Sequence, residues 1–146
     1  MNSLNSHEGH KFWLKITALV VGGFVGPILF LGTMPDTSEM ARWTLDLLSY
    51  PLDGKQTYND PTTRFLSAIC GGVVLGWAAM IWSLSVWVYD KAPKFTRKST
   101  LTGLIVWFIF DSTGSITSGN ASNAIVNVGL LLTAAGPLWV PAKKEK

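Results

Sequence analysis

Asp111 has the strongest claim to chemistry in this chain. It interrupts an apolar run from Leu101 to Phe110 and is followed by Ser112, Thr113, Gly114 and Ser115. No other acid lies inside an apolar segment. A carboxylate at such depth costs roughly 2.5–3.5 kcal/mol on insertion scales, so it faces protein or water rather than lipid. Asp111, Ser115 and Ser118 share one helix face at i, i+4 and i+7. Asn120, Asn123 and Asn127 share another at i, i+3 and i+7. Gly119 lies between the two sets, eight residues from both Asp111 and Asn127 and four from both Ser115 and Asn123. In an antiparallel helical hairpin, equal offsets mean equal depth. The two faces should therefore meet as rungs, Asp111 with Asn127 and Ser115 with Asn123.

The candidate polar or ion site is thus Asp111, Ser112, Ser115, Asn123 and Asn127. Two roles fit it. One is polar glue that fixes the hairpin register, at about 0.6 kcal/mol per interhelical hydrogen bond. The other is an outward-opening pocket in which Asp111 takes a proton or a cation. Arg64, at the outer end of another apolar segment, is a possible charge partner for Asp111, and that pairing would favour the structural role.

Other chemistries lack their residues. No histidine lies in an apolar segment, so bis-histidine haem is not expected. There is no Ser/His/Asp set, no zinc-protease motif and no phosphate loop. Asp111 has no partner acid at its depth, which argues against paired-carboxylate catalysis. No catalytic residue, metal or cofactor is expected. His7 and His10 form a sparse pair near the terminus and are weak metal ligands. The lone Cys70 reads as a small core residue. Asn120-Ala121-Ser122 matches a glycosylation sequon, but a tight turn gives poor access to it.

The elements that must hold Asp111 follow from composition. The 146 residues are 48% hydrophobic and 14% charged, where a soluble domain carries about a quarter charged residues. Four apolar stretches predict four spans, at 12–34, 62–89, 99–118 and 121–139, each near the ~20 residues that cross a bilayer. The fold class is therefore all-α integral membrane, a four-transmembrane-helix bundle. A polar tail at 1–11 precedes the 12–140 membrane domain, and a basic tail at 141–146 follows it. The first span reads as a retained anchor rather than a cleaved signal, since no Ala-x-Ala site follows it. Pro27 predicts a kink in it. The outer connection, 35–61, contains a short amphipathic helix. Asp36-Thr-Ser-Glu39 resembles a capping box, and Met40, Trp43, Thr44, Leu47 and Leu48 recur at helical spacing. That helix lies on the membrane surface or covers the mouth of the bundle.

Small residues at four-residue spacing predict where helices cross. Span one carries Ala18, Gly22 and Gly26, and span two carries Ala68, Gly72 and Gly76. Such stripes let backbones approach closely. They should bring the two spans together, or serve a second copy of the chain.

Charge sets the orientation. Lys11, Lys15, Lys91, Lys94, Arg97, Lys98, Lys143, Lys144 and Lys146 fall on one side of a four-span chain, against Arg42, Lys55 and Arg64 on the other. The positive-inside rule puts both termini in the cytoplasm. Membrane segments and this placement explain the net charge of +3 without any nucleic acid.

Four stretches, Asp111-Ser-Thr-Gly-Ser115, Gly136-Pro-Leu-Trp-Val-Pro141, Pro51-Leu-Asp-Gly54 and Arg64-Phe-Leu-Ser-Ala-Ile69, carry a resemblance. The chain is similar through them to a group of uncharacterised small four-span bacterial inner-membrane proteins. The resemblance implies the architecture and that membrane, and no activity. The expected partners are the lipid bilayer and other membrane subunits or a second copy. Two functions follow as expectations: a non-enzymatic accessory subunit of a larger membrane assembly, or a small oligomeric transporter or channel that uses Asp111.

Overall fold

A computed structural model describes residues 4–143, and among them every regular element is helical. The far end of the basic tail, Lys144 and Lys146, lies outside the described residues. Five helices follow in chain order: α1 (His7–Leu31), α2 (Ser38–Ser49), α3 (Pro61–Val88), α4 (Pro93–Thr117) and α5 (Ala121–Trp139). Three of them, α1, α3 and α5, are long and apolar enough to cross a membrane. Helix α4 has 25 residues but not the apolarity. Its basic first turns and the polar run from Asp111 to Ser115 dilute the apolar centre.

Helix α1 starts earlier than the sequence suggests. Ser6 caps it, its hydroxyl accepting from Gly9 N at 3.0 Å, so His7 to Lys11 are helical rather than a loose tail. Pro27 does not break it. A proline ring strikes the carbonyl four residues back and donates no hydrogen bond. The chain answers with a wide π-turn at Val21–Val25, closed by Gly26 N–H on Val21 O.

The capping box ahead of α2 does not form. Thr37 is the N-cap residue without a side-chain cap bond, and its hydroxyl donates to Leu31 O at 2.8 Å instead. Asp60 does cap α3, its carboxylate accepting from Thr63 N at 2.8 Å, with Pro61 at the first helical position. Helix α4 begins at Pro93 rather than near Ser99, so Lys94, Arg97 and Lys98 are helical. Gly119, at φ +87°, makes the turn into α5.

The helices pack as two pairs, α1 with α3 and α4 with α5. The α1–α3 crossing uses the expected stripe on α1 and a neighbouring one on α3. A Cβ on Gly22 would stand 2.9 Å from the Ala78 Cβ, and one on Gly26 would stand 2.7 Å from Leu75 Cγ. On α3 the close residue is Gly71: a Cβ there would lie 3.4 Å from Gly26 O and 3.3 Å from Phe30 N. Ser67, one turn earlier, donates its hydroxyl to Leu29 O at 2.7 Å. Gly72 and Gly76 have open space around them and Ala68 is half-buried, so that stripe is not the crossing.

The pairs join at both ends. Near the termini, Leu14, Ala18, Ile81, Tyr89 and Leu138 form a core, with Trp13, Trp77 and Leu101 against it. There the Trp13 indole donates to Ala134 O at 3.2 Å, and the Arg97 guanidinium donates to the carbonyls of Leu138 and Trp139. At the Gly119 end, α2 spans the gap between α1 and α5. Its apolar residues Met40, Trp43 and Leu47 point outward, while Ala41 and Thr44 are buried. Large apolar side chains are exposed on every long helix, Phe24, Phe65, Phe110 and Ile125 among them. Outward apolar faces suit a lipid surround, where burial brings no hydrophobic gain. Cys70 is exposed on the same ground and is not a core residue.

Candidate functional site

The polar ladder forms between α4 and α5. Asn127 Nδ2 donates to Asp111 Oδ2 at 2.5 Å, and Asn123 Nδ2 donates to the same oxygen at 3.1 Å. Asn123 also donates to Ser115 Oγ at 2.7 Å, and the Ser115 hydroxyl donates back to Asp111 O at 2.7 Å. Asn127 is 2% exposed and reaches Ser112 Oγ at 3.2 Å. All five candidate residues are therefore brought together. Gly119 fixes the hairpin, and equal offsets from it put each amide opposite its acceptor. At ~1.5 Å per residue, Asp111 lies roughly 12 Å from the turn.

Both amides go to one carboxylate oxygen. Oδ1 of Asp111 accepts no hydrogen bond among the described residues, and the residue is exposed. Beside it lies a cavity of about 370 Å³. Asp111, Ser115 and Asn123 form one wall, and Leu45, Leu48 and Ser49 of α2 form the other. Phe110 and Ser118 complete the rim. Helix α2 is tied down by the Ser122 hydroxyl, which donates to Leu48 O at 2.5 Å. The surface helix thus covers the mouth of the hairpin, the second of the two placements its amphipathic pattern allowed.

No ion pair among the described residues reaches Asp111, so Arg64 does not neutralise it. Nearby acids are otherwise engaged. Arg42 pairs with Glu39 at 3.0 Å and with Asp46 at 3.6 Å, and it donates to Gly54 O. Lys55 pairs with Asp53 at 2.8 Å and holds that carboxyl below the usual carboxylate range. Tyr58 pins the loop between α2 and α3. Its ring fills the space a Gly32 side chain would need, and its hydroxyl lies 3.2 Å from Thr44 Oγ1.

A second polar cluster, absent from the sequence reading, sits at the other end. His7 Nε2 lies 3.0 Å from Asp90 Oδ1, and the Lys11 ammonium pairs with Asp90 Oδ2. The His7 ring packs on Tyr89, with centroids 4.8 Å apart. Ligand atoms of His7, Glu8 and Asp90 fall within 4.8 Å of one another. His10 is not part of that set and is fully buried. The ammonium already on Asp90 makes this an anchor for α1 rather than an open metal site. No spacing rule links His7 to Asp90 across 83 positions, so only the fold discloses it.

Comparison with protein-family models, with curated proteins and with solved structures finds no match for this chain. The site must be read from its own chemistry. A helical protein with three helices able to cross a membrane holds one carboxylate, oriented by two amides, against a cavity with one polar and one apolar wall.

Proposed function

We propose that the protein is a small transporter or channel of a bacterial inner membrane, with Asp111 as its proton- or cation-binding residue. In this reading α4 crosses the bilayer with α1, α3 and α5. That gives four spans, both termini in the cytoplasm and the pocket on the outer side. The carrying observation is the state of Asp111: Oδ2 is held by Asn127 and Asn123, Oδ1 accepts no hydrogen bond and no cation pairs with the carboxyl among the described residues, and Asp111 lines an open cavity. Polar glue alone would engage both carboxyl oxygens, because a spare acceptor is costly in an apolar setting. Helix crossing favours the same topology. In the polar run that weakens α4 as a span, Asp111, Ser112 and Ser115 meet Asn123 and Asn127 of α5.

The test is reconstitution in liposomes with a pH-sensitive dye inside and a cation gradient across the membrane. Wild-type protein should carry a flux, and Asp111→Asn, which keeps the side-chain shape, should lose it while eluting unchanged from a sizing column. Equal flux from the two proteins would sink the reading.

One observation favours an accessory role in a larger assembly. Ala68, Gly72 and Gly76 leave a stripe on α3 that no described residue covers at Gly72 and Gly76. Small residues on an outward helix face admit a second helix closely, whether from another subunit or from a copy of this chain. Mass spectrometry of the protein gently extracted from its own membrane separates these outcomes.

A further inference from the structure

We infer that the ligand of the Asp111 pocket is an amphiphilic organic cation: a protonated or quaternary amine with a compact apolar body. The inference rests on the reading of Asp111 as a proton or cation site and names the ligand class.

Three features of the cavity select this class. Its charge comes first. The pocket holds one carboxylate and no second acid, and only Oδ1 of that carboxylate is unengaged. Calcium takes six to eight oxygen ligands, several of them carboxylates, and magnesium needs a nearly ideal octahedron. One carboxyl with serine hydroxyls and the amides of Asn120 and Asn123 supplies no second anionic ligand for either. An ammonium needs one anionic acceptor and a few neutral ones. Asp111 Oδ1 meets the first need, and the Ser49 hydroxyl on the opposite side of the lining serves the second.

The second feature is the opposing wall. Leu45 and Leu48 face the carboxylate side across the cavity. A hydrated alkali ion gains nothing from leucine side chains. An apolar body gains about 25 cal/mol for each Å² removed from water. Phe110 stands at the rim with 74% of its surface exposed. Its ring face can hold a cation on the way to Asp111 at about 0.5–1 kcal/mol for an exposed site.

The third feature is size. A volume of about 370 Å³ lies within the roughly 300–1,000 Å³ of small-molecule pockets. It is far larger than one dehydrated metal ion requires. It admits a single-ring amine. Helix α2 supplies one side of the lining and is tied to the hairpin by the Ser122–Leu48 hydrogen bond.

The experiment is calorimetric titration of the full chain in lipid nanodiscs. The probes are phenethylammonium, neutral phenethyl alcohol and sodium chloride, each at neutral pH. Phenethylammonium should bind saturably and the alcohol should not. Asp111→Asn should weaken the amine at least tenfold. Leu48→Gln, on the apolar wall of the pocket, should weaken the amine several-fold. Uptake of protons or sodium that depends on Asp111, without amine binding, would overturn the ligand class and leave the proposed site standing. Absence of any Asp111-dependent proton, sodium or amine binding would overturn both. Equal binding of the amine and the alcohol would also overturn the class, because the carboxylate would then play no part.

Discussion

Asn127 Nδ2 lies 2.5 Å from Asp111 Oδ2, so the most buried amide of α5 is aimed at the one acid inside an apolar stretch of α4. The two residues are 16 positions apart in the chain. Their separation in space is set by Gly119 at the turn and by the regular rise of the two helices.

That pairing predicts an asymmetry between the two partners. Asn127→Ala removes one of two donors to Oδ2 and leaves Ser112 Oγ without its amide. Interhelical hydrogen bonds in membranes average about 0.6 kcal/mol and reach about 1.7, so the variant should lose stability in that range. Asp111→Asn keeps the shape and an acceptor oxygen for Asn127, so it should lose less stability and all ligand binding. Unfolding in mixed micelles, read by tryptophan fluorescence, measures the first. Matched losses in the two variants would mean that the carboxylate charge itself holds the hairpin.

The α1–α3 crossing makes a sharper prediction from adjacent glycines. A side chain at Gly71 meets the backbone of Gly26 and Phe30, which cannot swing aside. Gly71→Leu should cost about 1–3 kcal/mol as an overpacking substitution. Gly72→Leu points into open space and should stay within about 0.5 kcal/mol. The same unfolding assay compares them, and a reversed order would place the wrong face of α3 against α1.

These glycines show what sequence could and could not disclose. Gly71 and Gly72 are neighbours roughly 100° apart on the helix, and each begins a small-residue stripe: Ser67 with Gly71, or Ala68 with Gly72 and Gly76. Spacing cannot choose between them, and the longer run of glycines pointed to the outward face. The ladder was legible because a turn glycine supplied an origin from which depth could be counted. The inward face of α2 was not legible. Met40, Trp43 and Leu47 mark an apolar side, but beside lipid an apolar side need not point into the protein. The same ambiguity misplaced Cys70. The capping box failed because Thr37 bonds to Leu31, a residue outside the motif. The His7–Asp90 contact joins distant segments and left no local pattern at all.

Helix α2 should act as a cover whose hold is weak and removable. Its hydrogen bond to the hairpin among the described residues is the Ser122 hydroxyl on Leu48 O, beside its packing on α5. Ser122→Ala should raise access to the cavity without unfolding the bundle, since α2 remains joined to the loop through Arg42 and Tyr58. In a Cys70→Ser background, Ser118→Cys provides a reporter on the cavity rim. A membrane-impermeant maleimide should label it several-fold faster when Ser122→Ala is added. An unchanged rate would show that α2 does not limit entry.

The opposite end should respond to acid. The Lys11 ammonium, and then the His7 ring, hold the Asp90 carboxyl below its usual range. A depressed acid stabilises the fold above its unfolded value, about 3.9, and that contribution is lost as pH falls through the folded value. Asp90 therefore anchors the start of α1 to the end of α3 at neutral pH and releases it in strong acid. Thermal unfolding in detergent from pH 7 to pH 3 should show a steeper acid loss for wild-type protein than for Asp90→Asn, with the two curves converging at the lowest pH. Asp53 and Asp60 are also depressed, by Lys55 and by the Thr63 backbone N–H, but both proteins retain them, so the difference isolates Asp90. Parallel curves would mean that the Lys11–Asp90 pair contributes nothing to holding α1, and the helix would then owe its position to Trp13 and the buried core beneath it.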